Sequence, residues 1–122
     1  MAEEVPLKRV TWLGPTRKVL QRFPLPVRRT VGFALYHAQK GVRHESAKPL
    51  RGFGGAGVLE VVEDYRGNTY RAIYTVRFTG QIYVLHMFQK KAKQGIKTPK
   101  QDIDLIKQRL KEAEALQKAG RK

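Results

Sequence analysis

Five lysines, Lys90, Lys91, Lys93, Lys97 and Lys100, fall within eleven residues that contain no acid. A cation run with nothing beside it to neutralise it suits the binding of a polyanion and the stabilisation of negative charge on phosphate. Arg71 and Arg77 stand an even number of residues apart in a β-rich stretch, so they share one face of a strand. A guanidinium fork matches phosphate with two parallel hydrogen bonds, which a lysine ammonium cannot do. Lys48 and Arg51 border a segment holding Gly52, Gly54, Gly55 and Gly57, whose mobility lets both cations swing toward a ligand.

Other chemistries lack their residues. His37 falls on a predicted helix, His44 in a loop and His86 on a strand, without the close histidine or histidine-carboxylate spacing of a metal site. His86 is expected to be a half-buried strand histidine with a local hydrogen bond. No serine constellation stands out, and the absence of cysteine removes disulfides, thiolate zinc sites and a thiol nucleophile. The glycine-rich segment lacks the Gly-Lys-Ser/Thr ending of a phosphate-cradling loop and precedes a strand, so no helix N-terminus faces a phosphate there. No cofactor and no metal are expected.

The elements that must position these groups come from the whole chain. Its 122 residues are 41% apolar, enough for one small core and therefore one domain over residues 1–122. A formal charge of +15 and a pI near 10.5 make a polyanion, nucleic acid first, or an acidic protein the natural complement. The acidic start and the lack of a long uncharged apolar run predict a chain that is neither exported nor inserted in a membrane, and the lack of cysteine fits the cytoplasm.

Lys8 to Leu13 reads as a first strand closed by Gly14-Pro15. Pro15 to Phe23 predicts a short helix, and residues 27–40 a second with Val27, Val31, Ala34, Leu35 and Ala38 on one side, the two forming a hairpin. Residues 42–57 read as a loop. Val58 to Tyr65, Thr69 to Phe78 and Gln81 to Phe88 predict an antiparallel meander, its third strand apolar on both faces and so covered on both. Thr98 is the expected N-cap of a last helix, with Pro99 in its first position, Gln101 as capping-box partner, and Ile103, Ile106, Leu110 and Ala113 on its apolar stripe.

Five segments, in order, carry a resemblance: Lys48-Pro49-Leu50-Arg51-Gly52; Leu59-Glu60; Tyr70-Arg71-Ala72-Ile73-Tyr74-Thr75-Val76; Met87-Phe88-Gln89-Lys90-Lys91; and Lys97-Thr98-Pro99 before an amphipathic helix. Together they resemble the RelE/ParE toxin superfamily, and in order and spacing its HigB-like, phage-derived branch, over roughly residues 8–112. The resemblance implies an α+β fold in which an N-terminal strand and helical hairpin pack on a small antiparallel sheet (β-α-α-β-β-β) with a C-terminal helix. It also implies an endoribonuclease that cleaves mRNA, often on the ribosome, and a helix-turn-helix antitoxin as partner.

Metal-free RNA cleavage uses the adjacent 2′-hydroxyl as nucleophile and needs a base, cations for the pentacoordinate phosphate, and an acid for the leaving 5′-oxygen. Arg71, inside the family-like Tyr-Arg-x-Ile-Tyr segment, is assigned to the phosphate, Lys91 to the leaving group, Lys90 to a flanking phosphate and Glu60 to the base. Lys48, Arg51, Arg77, Lys93 and Lys97 are the expected RNA-binding cations. Glu60 equally reads as the ion-pair partner of Arg71. The HigB-like pattern has Glu-Leu-Arg where this chain has Glu60-Val61-Val62, with Arg77 or Arg51 as compensating cations. The stacking tyrosine of RelE has no counterpart near Lys97, which leaves Tyr74, Tyr83 or Phe88 to stack a base. Two alternatives stay open: a ParE-like gyrase inhibitor, and an RNA-binding member without catalysis.

Overall fold

The computed structural model describes residues 6–55, 57–90 and 98–120. Lys91, Lys93 and Lys97 lie outside the described residues. The element order is β1 (Arg9–Trp12), α1 (Thr16–Arg22), α2 (Leu25–Gln39), β2 (Ala47–Pro49), β3 (Val58–Tyr65), β4 (Asn68–Thr75), β5 (Gln81–Lys90) and α3 (Lys100–Ala119). The strands form one sheet in the order β1-β5-β4-β3-β2. The expected α+β architecture is present, with two differences in the sheet. β1 lies parallel to β5, Arg9 opposite Gln81 and Trp12 opposite Val84, so the sheet is mixed. A short strand, β2, forms within the stretch read as loop and pairs antiparallel with the edge of β3.

The β3–β4 hairpin closes on Arg66 and Gly67, both at positive φ (50° and 82°). That two-residue turn matches the right-handed twist of its strands and fixes their register, Val62 opposite Arg71 and Glu60 opposite Ile73. β4 ends at Thr75, three residues before the predicted end. β5 is buried on both faces, as its continuous apolar pattern requires. Ile82, Val84 and Met87 meet the layer formed by α1 and α2, while Tyr83 and Leu85 face α3. A bulge opposite Ile73/Tyr74 gives β5 one extra residue, so Leu85 and His86 can both serve the α3 side.

α3 packs on this second face through Ile106 and Ala113, both fully buried, with Ile103 and Leu110 beside them. Its N-cap is Pro99, with no side-chain capping bond, so Thr98 and Gln101 do not form the expected capping box. Thr98 is drawn instead into the sheet, where its hydroxyl has stronger partners. No described helix is long and apolar enough to cross a membrane.

Candidate active site

Side chains alternate along each strand, so the register sets Glu60 and Val62 of β3, Arg71 and Ile73 of β4, and His86 and Phe88 of β5 on the α3 face. Glu60 and Arg71 are diagonal neighbours across the β3–β4 pair, within reach for long side chains. The Arg71 guanidinium donates from one terminal nitrogen to Glu60 Oε2 at 2.6 Å. Thr98 Oγ1 donates to the same oxygen at 2.9 Å, and the Arg71 nitrogen lies 3.3 Å from Thr98 Oγ1. Both contacts fall on Oε2, leaving Glu60 Oε1 without a partner among the described residues.

Exposure separates the pair. Arg71 is 3% exposed and Glu60 15%. A groove of about 360 Å³ opens beside them, lined by Glu45, Ser46, Lys48, Glu60 and Val62. Glu60 is thus the member of the pair that reaches the groove, with Arg71 behind it. Lys48 faces the same groove because β2 pairs it directly with Glu60. Val62, opposite Arg71, is 40% exposed and offers an apolar wall where the family-like pattern has a cation.

His86 Nε2 contacts Asp102 Oδ1 at 2.7 Å, tying β5 to the first turn of α3. Its ring stacks on Phe88 with centroids 4.9 Å apart and planes 22° apart. The half-buried histidine with a hydrogen bond is therefore present, and its partner is an acid from another element. The Thr98 and Asp102 contacts together fix the start of α3 against β3, β4 and β5. Sequence spacing gave no sign of either. The threonine looked like a cap, and sixteen residues separate His86 from its carboxylate.

Of the three stacking candidates only Phe88 lies in this region. Tyr74 is 1% exposed and packs in the layer beneath α1 and α2. Burial pushes its phenol up to about 12, opposed in part by the Arg43 guanidinium. Tyr83 is buried under α3 and donates its hydroxyl to Gln117 Oε1 at 3.0 Å. Lys90 ends β5, opposite Thr69 and two residues beyond Phe88, on the same side as Arg71. Arg51 sits exposed in the turn after β2.

Arg77 is placed elsewhere. It follows the end of β4, pairs with Glu114 of α3 at 2.8 Å and rests on Phe78. Its parity with Arg71 was legible, but six residues of extended chain put it roughly 20 Å along the strand direction. It does not supply the cation absent at Val62. Among the described residues no three His, Asp or Glu side chains gather to hold a metal ion.

Residues 18–111 match the family described as Phage derived protein Gp49-like (DUF891). No curated protein and no solved structure matches the chain.

Proposed function

Because the chain belongs to the phage-derived Gp49-like family, a family of RelE/HigB-like toxin-antitoxin toxins, we propose that it is a metal-independent endoribonuclease that cuts mRNA during translation. In this reading it acts in the cytoplasm, and a helix-turn-helix antitoxin neutralises it. The observation that carries the reading is the Glu60 carboxylate, one oxygen fixed by Arg71 and Thr98 and the other without a partner among the described residues, at the wall of an open groove.

A carboxylate so held is oriented to accept a proton from the 2′-hydroxyl, which then attacks the adjacent phosphorus. The bond to the 5′-oxygen breaks, giving a 2′,3′-cyclic phosphate and a 5′-hydroxyl. Arg71 positions Glu60 and places fixed positive charge behind the phosphate, while Lys48 and Lys90 hold flanking phosphates. Lys91 protonates the leaving oxygen, and Phe88 offers a face for base stacking. Arg51, Lys93 and Lys97 add to the electrostatic attraction of RNA. Arg77, already paired with Glu114, takes no part.

A second reading, RNA binding without cleavage, is favoured by one observation. Arg71 is almost wholly buried and engaged with Glu60, as a structural ion pair would be. The test is to incubate the purified chain with translating ribosomes and a labelled mRNA in the presence of a chelator-controlled magnesium level that keeps ribosomes intact. Products with a 5′-hydroxyl and a cyclic phosphate, lost when the cut nucleotide is 2′-deoxy, are expected. Association with the RNA and no new ends would select the second reading.

A further inference from the structure

α2 buries Val27, Val31, Ala34, Leu35 and Ala38 against the sheet. At about 100° per residue, Leu25, Arg29, Phe33, Tyr36 and Lys40 fall within roughly 50° of the line opposite that buried face, and Gly32 borders them at about 60°. The centre of a solvent face is normally polar. Here Leu25 is 48% exposed, Phe33 58% and Tyr36 46%. At the margin of the stripe, one turn before Tyr36, stands Gly32, where an added Cβ would meet nothing within 4 Å. A glycine inside a helix weakens it, and no contact among the described residues requires one at this position. The result is a notch beside the exposed Tyr36, with the Lys40 ammonium over that ring at 5.1 Å.

Charge is equally one-sided. Residues 5–44 hold nine Lys and Arg and no Asp or Glu. We infer that the outer face of α2 is a docking surface for an acidic amphipathic helix of the antitoxin, its backbone approaching closely at Gly32 and its carboxylates meeting Arg29 and Lys40. The inference rests on the toxin-antitoxin reading and is independent of RNA cleavage. An α-helix fits the surface better than RNA does. Leu25, Phe33 and Tyr36 make the stripe largely apolar, and its two cations, Arg29 and Lys40, stand eleven residues or about 16 Å apart, without the continuous run of cations that a phosphate backbone requires. A second copy of this chain is disfavoured by its own charge of +15.

The experiment measures binding of the antitoxin encoded beside this chain to the full-length protein by calorimetry, with growth of the expressing cells followed in parallel. Gly32→Gln replaces the notch with a better helix former, so thermal stability rises by about 3 °C. Arg29→Glu reverses one cation without touching the core. Both are expected to weaken binding at least about 100-fold, to leave growth arrest by the toxin alone unchanged, and to abolish rescue by the antitoxin. Binding within about threefold of wild type overturns the inference. Loss of arrest in the absence of antitoxin, with the fold intact, also overturns it and assigns the face to RNA or the ribosome. Failure of the wild type to bind overturns the pairing itself and the docking surface with it.

Discussion

Replacing Arg71 by Met keeps most of the side-chain volume and removes the charge, leaving Glu60 in its place with Thr98 as the remaining donor among the described residues. Breaking a buried pair by deleting one partner costs about 3–5 kcal/mol. Glu60 keeps 15% of its surface in water, which places Arg71→Met near the low end, at about 3 kcal/mol. Glu60→Gln keeps an acceptor for both donors and loses only the charge-assisted part of each bond, about 1–2 kcal/mol. Once Glu60 is neutral, removing Arg71 strands no carboxylate, so the double variant is expected to be more stable than the sum of singles implies. The expected coupling is at least about 1 kcal/mol. Urea unfolding followed through Trp12, the one tryptophan of the chain, measures all four proteins. Domains of this size hold about 5–15 kcal/mol, so each variant retains a folded baseline. A coupling below about 0.3 kcal/mol would refute the reasoning that Arg71 and Glu60 act as one unit.

Four further expectations follow from the packing. Tyr74 carries its phenol pKa at about 12 when folded and near 10.0 as an ordinary tyrosine, so between those values the unfolded chain sheds a proton that the folded chain keeps. Stability is therefore complete below pH 10 and falls as pH rises toward 12, by up to about 2–3 kcal/mol. Tyr74→Phe, which removes a hydroxyl with no partner among the described residues, should abolish that loss without lowering stability at neutral pH. Urea midpoints on both sides of pH 10 decide this, and an equal alkaline loss in the variant contradicts it. Gly57 adopts φ +68°, and a Cβ there would lie 3.1 Å from the Arg77 nitrogen. Gly57→Ala should then cost more than about 1 kcal/mol in thermal unfolding, and an unchanged melting point would show that the turn relaxes. Ile106→Ala empties a fully buried site beneath α3, with an expected cost of about 3 kcal/mol, or roughly 10 °C in melting temperature. By contrast Arg77→Ala removes an exposed pair and should change stability by no more than about 0.5 kcal/mol.

The parts of the fold legible in the sequence are those where periodicity and turn chemistry agree. The apolar spacing of α2 and α3, the meander and the double-sided burial of β5 all follow from local pattern. β2 was not legible. Three residues ending in proline carry no alternation, and only the free edge of β3 makes them a strand. The parallel placement of β1 is likewise a property of the assembled sheet. At the site, the Arg66-Gly67 turn fixes which strand residues are neighbours, so a Glu60–Arg71 contact was within reach of the sequence. Thr98 and the His86–Asp102 contact were not, because they depend on where α3 begins in space. Arg77 shows the limit of parity arguments, which give the face of a strand and say nothing of the distance along it.

The most direct test of the central claim is to express the wild type and Glu60→Gln in bacteria and map new 5′-hydroxyl RNA ends across the transcriptome while following growth. The expected result is cuts inside coding regions and growth arrest with the wild type. The variant, folded to the same degree, should show cuts reduced at least about 100-fold, the scale of one positioned base. Equal cutting by Glu60→Gln would remove Glu60 from the chemistry. Arrest by the wild type without new ends would contradict the nuclease itself.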